Sequence, residues 1–157
     1  MTTGPADALP TLPVCSSGLP RRASGRTVRL RVLPGTADSA AAARQLTREL
    51  LGVLHPAMDT AMLLVSELVT NSVTHSRSGL PGGTVTLAVS TGAAGVLIQV
   101  RDDGGLSEPR VVAETGAGGA EHGYGLLLVA ALADSWGTAI TSEGRLTWCR
   151  VVTRPGE

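Results

Sequence analysis

Three groups of residues in this sequence could do chemistry. The first is a strip along a helix. Residues 63–75 read LLVSELVTNSVTH, and a helix turns about 100° per residue, so side chains four apart stand nearly above one another. Glu67, Asn71 and His75 therefore share one polar strip. Beside it Ala61, Leu64, Val65, Leu68 and Val69 form an apolar arc that should face a core. A carboxylate and a carboxamide thus stand on the border of a buried face. On most helices such groups are simply solvated, and they acquire a role only if the chain supplies something for them to act on.

The second group is Asp102. In the strand spanning 96–102, Val96, Ile98 and Val100 point one way, and parity carries Asp102 to the same inward face. A carboxylate there needs a partner and could accept a hydrogen bond from an exocyclic amine such as that of adenine. The other reading ends the strand earlier and gives Asp102 to a turn with Asp103, Gly104 and Gly105. The third group is Gly123-Tyr124-Gly125-Leu126. Glycines at a helix start let backbone N–H groups approach a phosphate, and the helix dipole favours the anion. Alone this is a common arrangement. A dinucleotide fingerprint is absent, since the nearest glycine run, 116–121, ends in Glu121.

Alternation and punctuation place these groups on elements. Residues 1–25 hold Pro5, Pro10, Pro13 and Pro20 among Gly, Ser and Thr and read as a flexible tail ahead of a single domain over 26–154. Residues 27–33 alternate as a half-buried strand. A helix capped by Thr36 or Asp38 runs to about Leu54, with Leu46, Leu50 and Leu54 on one side. His55-Pro56 breaks it, and the helix carrying Glu67 and Asn71 spans about 57–75. Strands follow at 84–90 and 96–102, joined by a hairpin loop over 91–95. Residues 103–122 form a glycine-rich loop, of a length more often functional than decorative. An apolar helix over 126–135 and two strands, 137–141 and 145–152, close the chain. The order is β-α-α-β-β-loop-α-β-β. It predicts an α/β (α+β) two-layer sandwich, with a mixed, mostly antiparallel sheet and the helices on one face.

Composition narrows the function. The chain has 157 residues and 43% hydrophobic content, enough for one real core. Its formal net charge is zero, without the basic footprint of a nucleic-acid binder. All thirteen basic residues are arginine. A phosphate-binding loop of the Walker type and a pyridoxal Schiff base both need lysine, so both are excluded. Cys15 and Cys149 show no metal spacing and no disulfide framework, which makes a reducing cytoplasm the default. The first residues lack the charged and apolar regions of a signal peptide. The longest apolar run, 126–133, is too short to span a membrane.

Taken together and in order, the three groups are far more specific than any one. A helix with ELVTNSVTH, VRDDGG after a strand, a glycine-rich loop, then GYGLLLV resembles the GHKL superfamily of ATP-binding proteins, the Bergerat fold. Residues 66–75 look like its N-box, 100–105 like its first glycine box and 123–129 like its second. The small size, the ALADSWG continuation and the closing strand with Trp148 are most similar to the bacterial anti-sigma-factor serine kinases. The resemblance covers about 27–152. It implies ATP and Mg²⁺ as cofactors, with Asn71 coordinating the metal and Glu67 either acting as general base on a serine hydroxyl or orienting a water. It implies that Asp102 binds the adenine amine and that Gly104 lets the base approach the backbone. Gly123 and Gly125, at the head of the Leu126 helix, would admit the phosphates. Arg110 would be a charge partner in the intervening loop, and Tyr124 would flank the nucleotide. The first glycine box departs from the family by one position, at Gly104-Gly105-Leu106.

The function so implied is an ATP-dependent protein serine kinase that is also an anti-sigma factor. It would bind a sigma factor and phosphorylate an anti-anti-sigma (STAS-domain) protein, with homodimerisation expected from the family alone. The alternative is a module that binds ATP and sequesters a partner without catalysis. A third reading leaves the glycines to packing and turns, with no nucleotide.

Overall fold

A computed structural model gives the fold and describes residues 21–23, 25–105 and 124–154. The elements in order are β1 (Arg21–Ala23), β2 (Arg26–Pro34), α1 (Ser39–Leu51), α2 (Met58–His75), a 3-10 turn (Arg77–Gly79), β3 (Thr84–Gly92), β4 (Gly95–Asp102), α3 (Tyr124–Leu132), β5 (Ser135–Thr141) and β6 (Gly144–Val152). The strands form one sheet in the order β1-β2-β3-β4-β6-β5. All five pairings are antiparallel, so the parallel component that the sequence allowed does not occur among the described strands.

Register decides what the sheet shows to the helices. Across the ladders Val85 stands with Leu33, Leu87 with Val100, Val89 with Ile98, and Ile98 with Cys149. Directly opposed residues share a face, and these positions join Ala61, Leu64, Val65, Leu68 and Val69 of α2 and Leu126 and Val129 of α3 in one core. The result is an α/β two-layer sandwich. The arc expected on α2 is thus buried as a unit, and α2 is the helix around which the other two pack.

Four elements differ from the sequence expectation. Arg21–Ala23, inside the stretch read as a tail, pairs with β2 as an edge strand. Helix α1 stops at Leu51 because Gly52 turns the backbone to φ 78°. The i, i+4 ladder therefore breaks: Leu46 is buried, but Leu54 is 94% exposed. Strand β2 turns its apolar parity away from the helices. Arg29 and Arg31 pair across from Val89 and Leu87, so they lie on the helix side, and Arg29 reaches Glu49 of α1 at 2.9 Å. A one-residue slip would exchange the two faces of β2, and the observed register is the one that sets Leu33 in the core opposite Val85. The last helix starts earlier than expected and ends at Leu132, which leaves Ser135 to open β5. Among the described residues no helix is long and apolar enough to cross a membrane.

Candidate functional site

Helix α2 presents its polar strip in graded depth. Asn71 is buried at 8% exposure, whereas Glu67 and His75 are half-buried. The sequence left open whether the strip lies at the solvent edge; for Asn71 it does not. The Asn71 amide nitrogen is buried and has no hydrogen-bond partner among the described residues. A buried amide without a partner costs about 1–3 kcal/mol. A group held at that cost is ready for something outside the chain.

Asp102 resolves in favour of the inward face. It is the last residue of β4 and stands directly opposite Arg145 of β6. Its Oδ2 accepts a hydrogen bond from Arg145 Nη2 at 3.0 Å, and its Oδ1 accepts from the Gly104 backbone N–H at 2.8 Å. Both side chains are shut from solvent, at 1% and 0% exposure. The carboxylate is thus held at both oxygens by groups of this chain. Gly104 can return its N–H because it sits at φ 66°, a left-handed conformation that glycine adopts without strain. The turn reading of Asp102 is therefore half right: the carboxylate points inward and also anchors the turn that follows.

The two halves of the site are tied together. Ser76, just past α2, forms an isolated bridge with Gly105. The Arg77 backbone N–H donates to Gly104 O at 2.9 Å, and the Asp103 N–H donates to Ser78 Oγ at 2.9 Å. The C-terminal end of the Asn71 helix and the glycine turn after Asp102 therefore form one corner. Gly125 lies in the first turn of α3, and Tyr124 begins that helix. Leu126 is buried in the core, so its side chain packs rather than faces a ligand. Arg110 and Gly123 lie outside the described residues, as does most of the glycine-rich loop.

A family model for the histidine kinase-like ATPase domain matches residues 33–152. The chain belongs to this family. It is a GHKL-type ATP-binding module, of the ATP-dependent kinase or ATPase kind. No curated protein matches the sequence. The matched span of the histidine kinase-like domain begins within β2 and ends with β6, and it contains Glu67, Asn71, Asp102 and Gly104.

The residues present fit the cofactors of this family. Mg²⁺ keeps several waters and takes few protein ligands. Among the described residues no cluster of three or more His, Cys, Asp or Glu could cage a metal, while the Asn71 carboxamide offers one oxygen on a buried face. Asn71 would hold the ion, and phosphate oxygens and water would complete its shell. Sequence reasoning missed two residues of this site. One is Arg145, whose pairing with Asp102 bridges 43 positions. The other is Thr147, opposite Val100 on the same face, whose buried hydroxyl has no partner among the described residues. A signal existed in β6: Arg145, Thr147, Cys149 and Val151 alternate in step with Asp102, Val100, Ile98 and Val96.

Proposed function

We propose that this histidine kinase-like domain is an anti-sigma regulator with protein serine kinase activity, acting in the cytoplasm. It holds a sigma factor and phosphorylates a serine on a small STAS-domain antagonist. The observation that supports catalysis is Glu67. It is half-buried, one turn before Asn71, and among the described residues it makes no hydrogen bond or ion pair. A carboxylate with free lone pairs has the chemistry to accept a proton.

Glu67 takes the proton of the serine hydroxyl. The serine oxygen bonds to the γ-phosphorus of ATP as the bond from that phosphorus to the β,γ-bridging oxygen breaks, and the electron pair leaves with ADP. Mg²⁺, when bound, offsets the charge of the phosphates. Asp102 would hold the base and Asn71 would hold the metal, which would bring the γ-phosphate to Glu67 rather than leave it in solution.

The test is phosphate transfer from labelled ATP with Mg²⁺ to the STAS protein encoded nearest to this chain. Glu67→Gln is expected to bind ATP like wild type and to lose transfer by about 10²–10⁴-fold, the usual share of a general base. Asn71→Ala is expected to lose Mg²⁺-dependent binding. If both variants match wild type in binding and transfer, the assignment is wrong. If wild type binds ATP and retains a partner but transfers nothing, the chain is a sequestering module.

A further inference from the structure

Strand alternation gives the sheet a second face, turned away from the helices. Leu30 of β2, Ala88 of β3, Gln99 of β4 and Trp148 of β6 form one row across it, and Val28, Ser90 and Leu97 stand in the next. Among the described residues no element packs on this face, since all three helices lie on the other. Glutamine is mostly exposed in folded chains, and an uncovered sheet face would leave it wet. Yet Gln99 is 3% exposed and Ala88 1%. The Trp148 indole N–H on the same face is also buried, with no acceptor among the described residues. Something other than the helices therefore covers the middle of this face.

The cover is uneven, and the unevenness points to its source. Along β2 exposure climbs from 9% at Val28 to 58% at Val32, so the cover lies towards the Val28 end. Arg21 stands directly opposite Val28, so residues 1–20 join the sheet at that end. Residues 106–123 instead join Gly105 and Tyr124, past the Asp102 end of β4, which is the Val32 end of the sheet. The three residues after Arg154 extend about 11 Å at most, whereas three strand spacings of about 4.8 Å separate β6 from β2. Residues 1–20 can extend to roughly 70 Å, ample to cross the sheet. Leu9, Leu12, Val14 and Leu19 give this segment apolar side chains, and Asp7 is its one ionised side chain. Positive charge waits at the covered end. Arg26 lies against Gly92 and donates from Nη2 to Gly95 O at 3.4 Å, while burial and the neighbouring Arg150 push its guanidinium below the usual value. Asp7 offsets that charge, whereas the same face of a second copy would repeat it.

We propose that residues 7–20 dock across the outer face of the sheet in their own chain, as a built-in cover for its apolar middle. Docked there, the segment withholds this face from other molecules, and its release opens an interaction surface opposite the helices.

The test places a nitroxide on Cys15 of the full chain. Burial holds the Cys149 thiol up at about 12, which leaves Cys15 as the reactive one. There are two tryptophans, so a Trp136→Phe background reports Trp148 alone. Most of the Trp148 emission is expected to be lost relative to a diamagnetic analogue of the label, and equally so after dilution. Leu12→Asp combined with Val14→Asp is expected to restore it. If Trp136→Phe disturbs the fold, the labelled chain with both tryptophans gives the same reading by NMR, as broadening of the Ala88, Leu97 and Gln99 amide signals. The inference is overturned if the label affects neither Trp148 nor these amides. It is also overturned if the double aspartate variant is quenched as strongly, for then tethering alone brings the label near. Quenching that fades on dilution overturns it too, because the cover is then a second copy.

Discussion

Asn71 and Asp102 are both buried polar groups on the helix-facing side of the sandwich, and the chain treats them in opposite ways. Asn71 has an amide nitrogen without a partner among the described residues. Asp102 has both oxygens engaged, one by a backbone N–H and one by a guanidinium. A polar group in low dielectric is costly unless paired. Asp102 is therefore a finished part of the scaffold, held in fixed form by its own chain. Asn71 is an unfinished part, with a buried donor left unpaired among the described residues. The contrast is between a carboxylate fixed by the chain's own donors and an amide N–H that lacks an acceptor among the described residues.

The largest effect should come from splitting the finished pair. Asp102→Leu or Arg145→Met alone leaves an uncompensated buried charge, which costs about 3–5 kcal/mol. Both changes together should recover most of that loss in urea unfolding, because an apolar pair needs no partner. A double variant no more stable than either single one would show that the pair's neighbours, not its charges, set the cost.

The unfinished group should respond in the other direction. Asn71→Leu keeps the volume and removes the amide, so stability should rise by about 1 kcal/mol. The thermal shift produced by millimolar Mg-ATP should disappear in the same variant. A destabilised Asn71→Leu would mean that the amide is satisfied within the chain, and the contrast with Asp102 would fail.

The smallest effect concerns a buried sulfur that forms no disulfide among the described residues. Cys149 lies at the apolar end of the same face, opposite Ile98. Burial pushes its thiol from the ordinary 9.0 up to about 12. The fold accommodates the neutral thiol, so its contribution is intact below about 9 and is lost as pH rises through about 12. In a Cys15→Ser background at pH 8, iodoacetamide should label Cys149 only after unfolding in urea, since the thiolate is the reactive form. Labelling of the native chain at the rate of the unfolded one would show that burial does not protect it.

The sequence revealed this molecule wherever the argument was local. The 3.6-residue period placed the apolar arc of α2, and two-residue parity carried Asp102 inward, because both depend on backbone geometry alone. It failed where partners are distant or where a single residue overrides a pattern. Gly52 ended α1 and exposed Leu54 against an unbroken i, i+4 spacing. The β3 ladder turned the apolar side of β2 away from the helices. Arg145 escaped notice because its role appears only once β6 is laid beside β4. Of the candidate site, Asp102 and Asn71 emerged as buried groups, whereas nothing local distinguished Thr147 from any other threonine in a strand.

The corner that joins α2 to the glycine turn has a consequence for how the chain can vary. Three glycines crowd it: a Cβ on Gly35 or Gly83 would lie 1.6 or 2.1 Å from the Ser78 carbonyl oxygen, and one on Gly79 would lie 2.2 Å from the Val73 carbonyl oxygen. No side chain can be accommodated at these positions without moving backbone. Descendants of this chain can therefore change their partner surfaces and loops while this knot stays as it is. The end of α2 and the turn after Asp102, tied through the knot, would be inherited as a single piece.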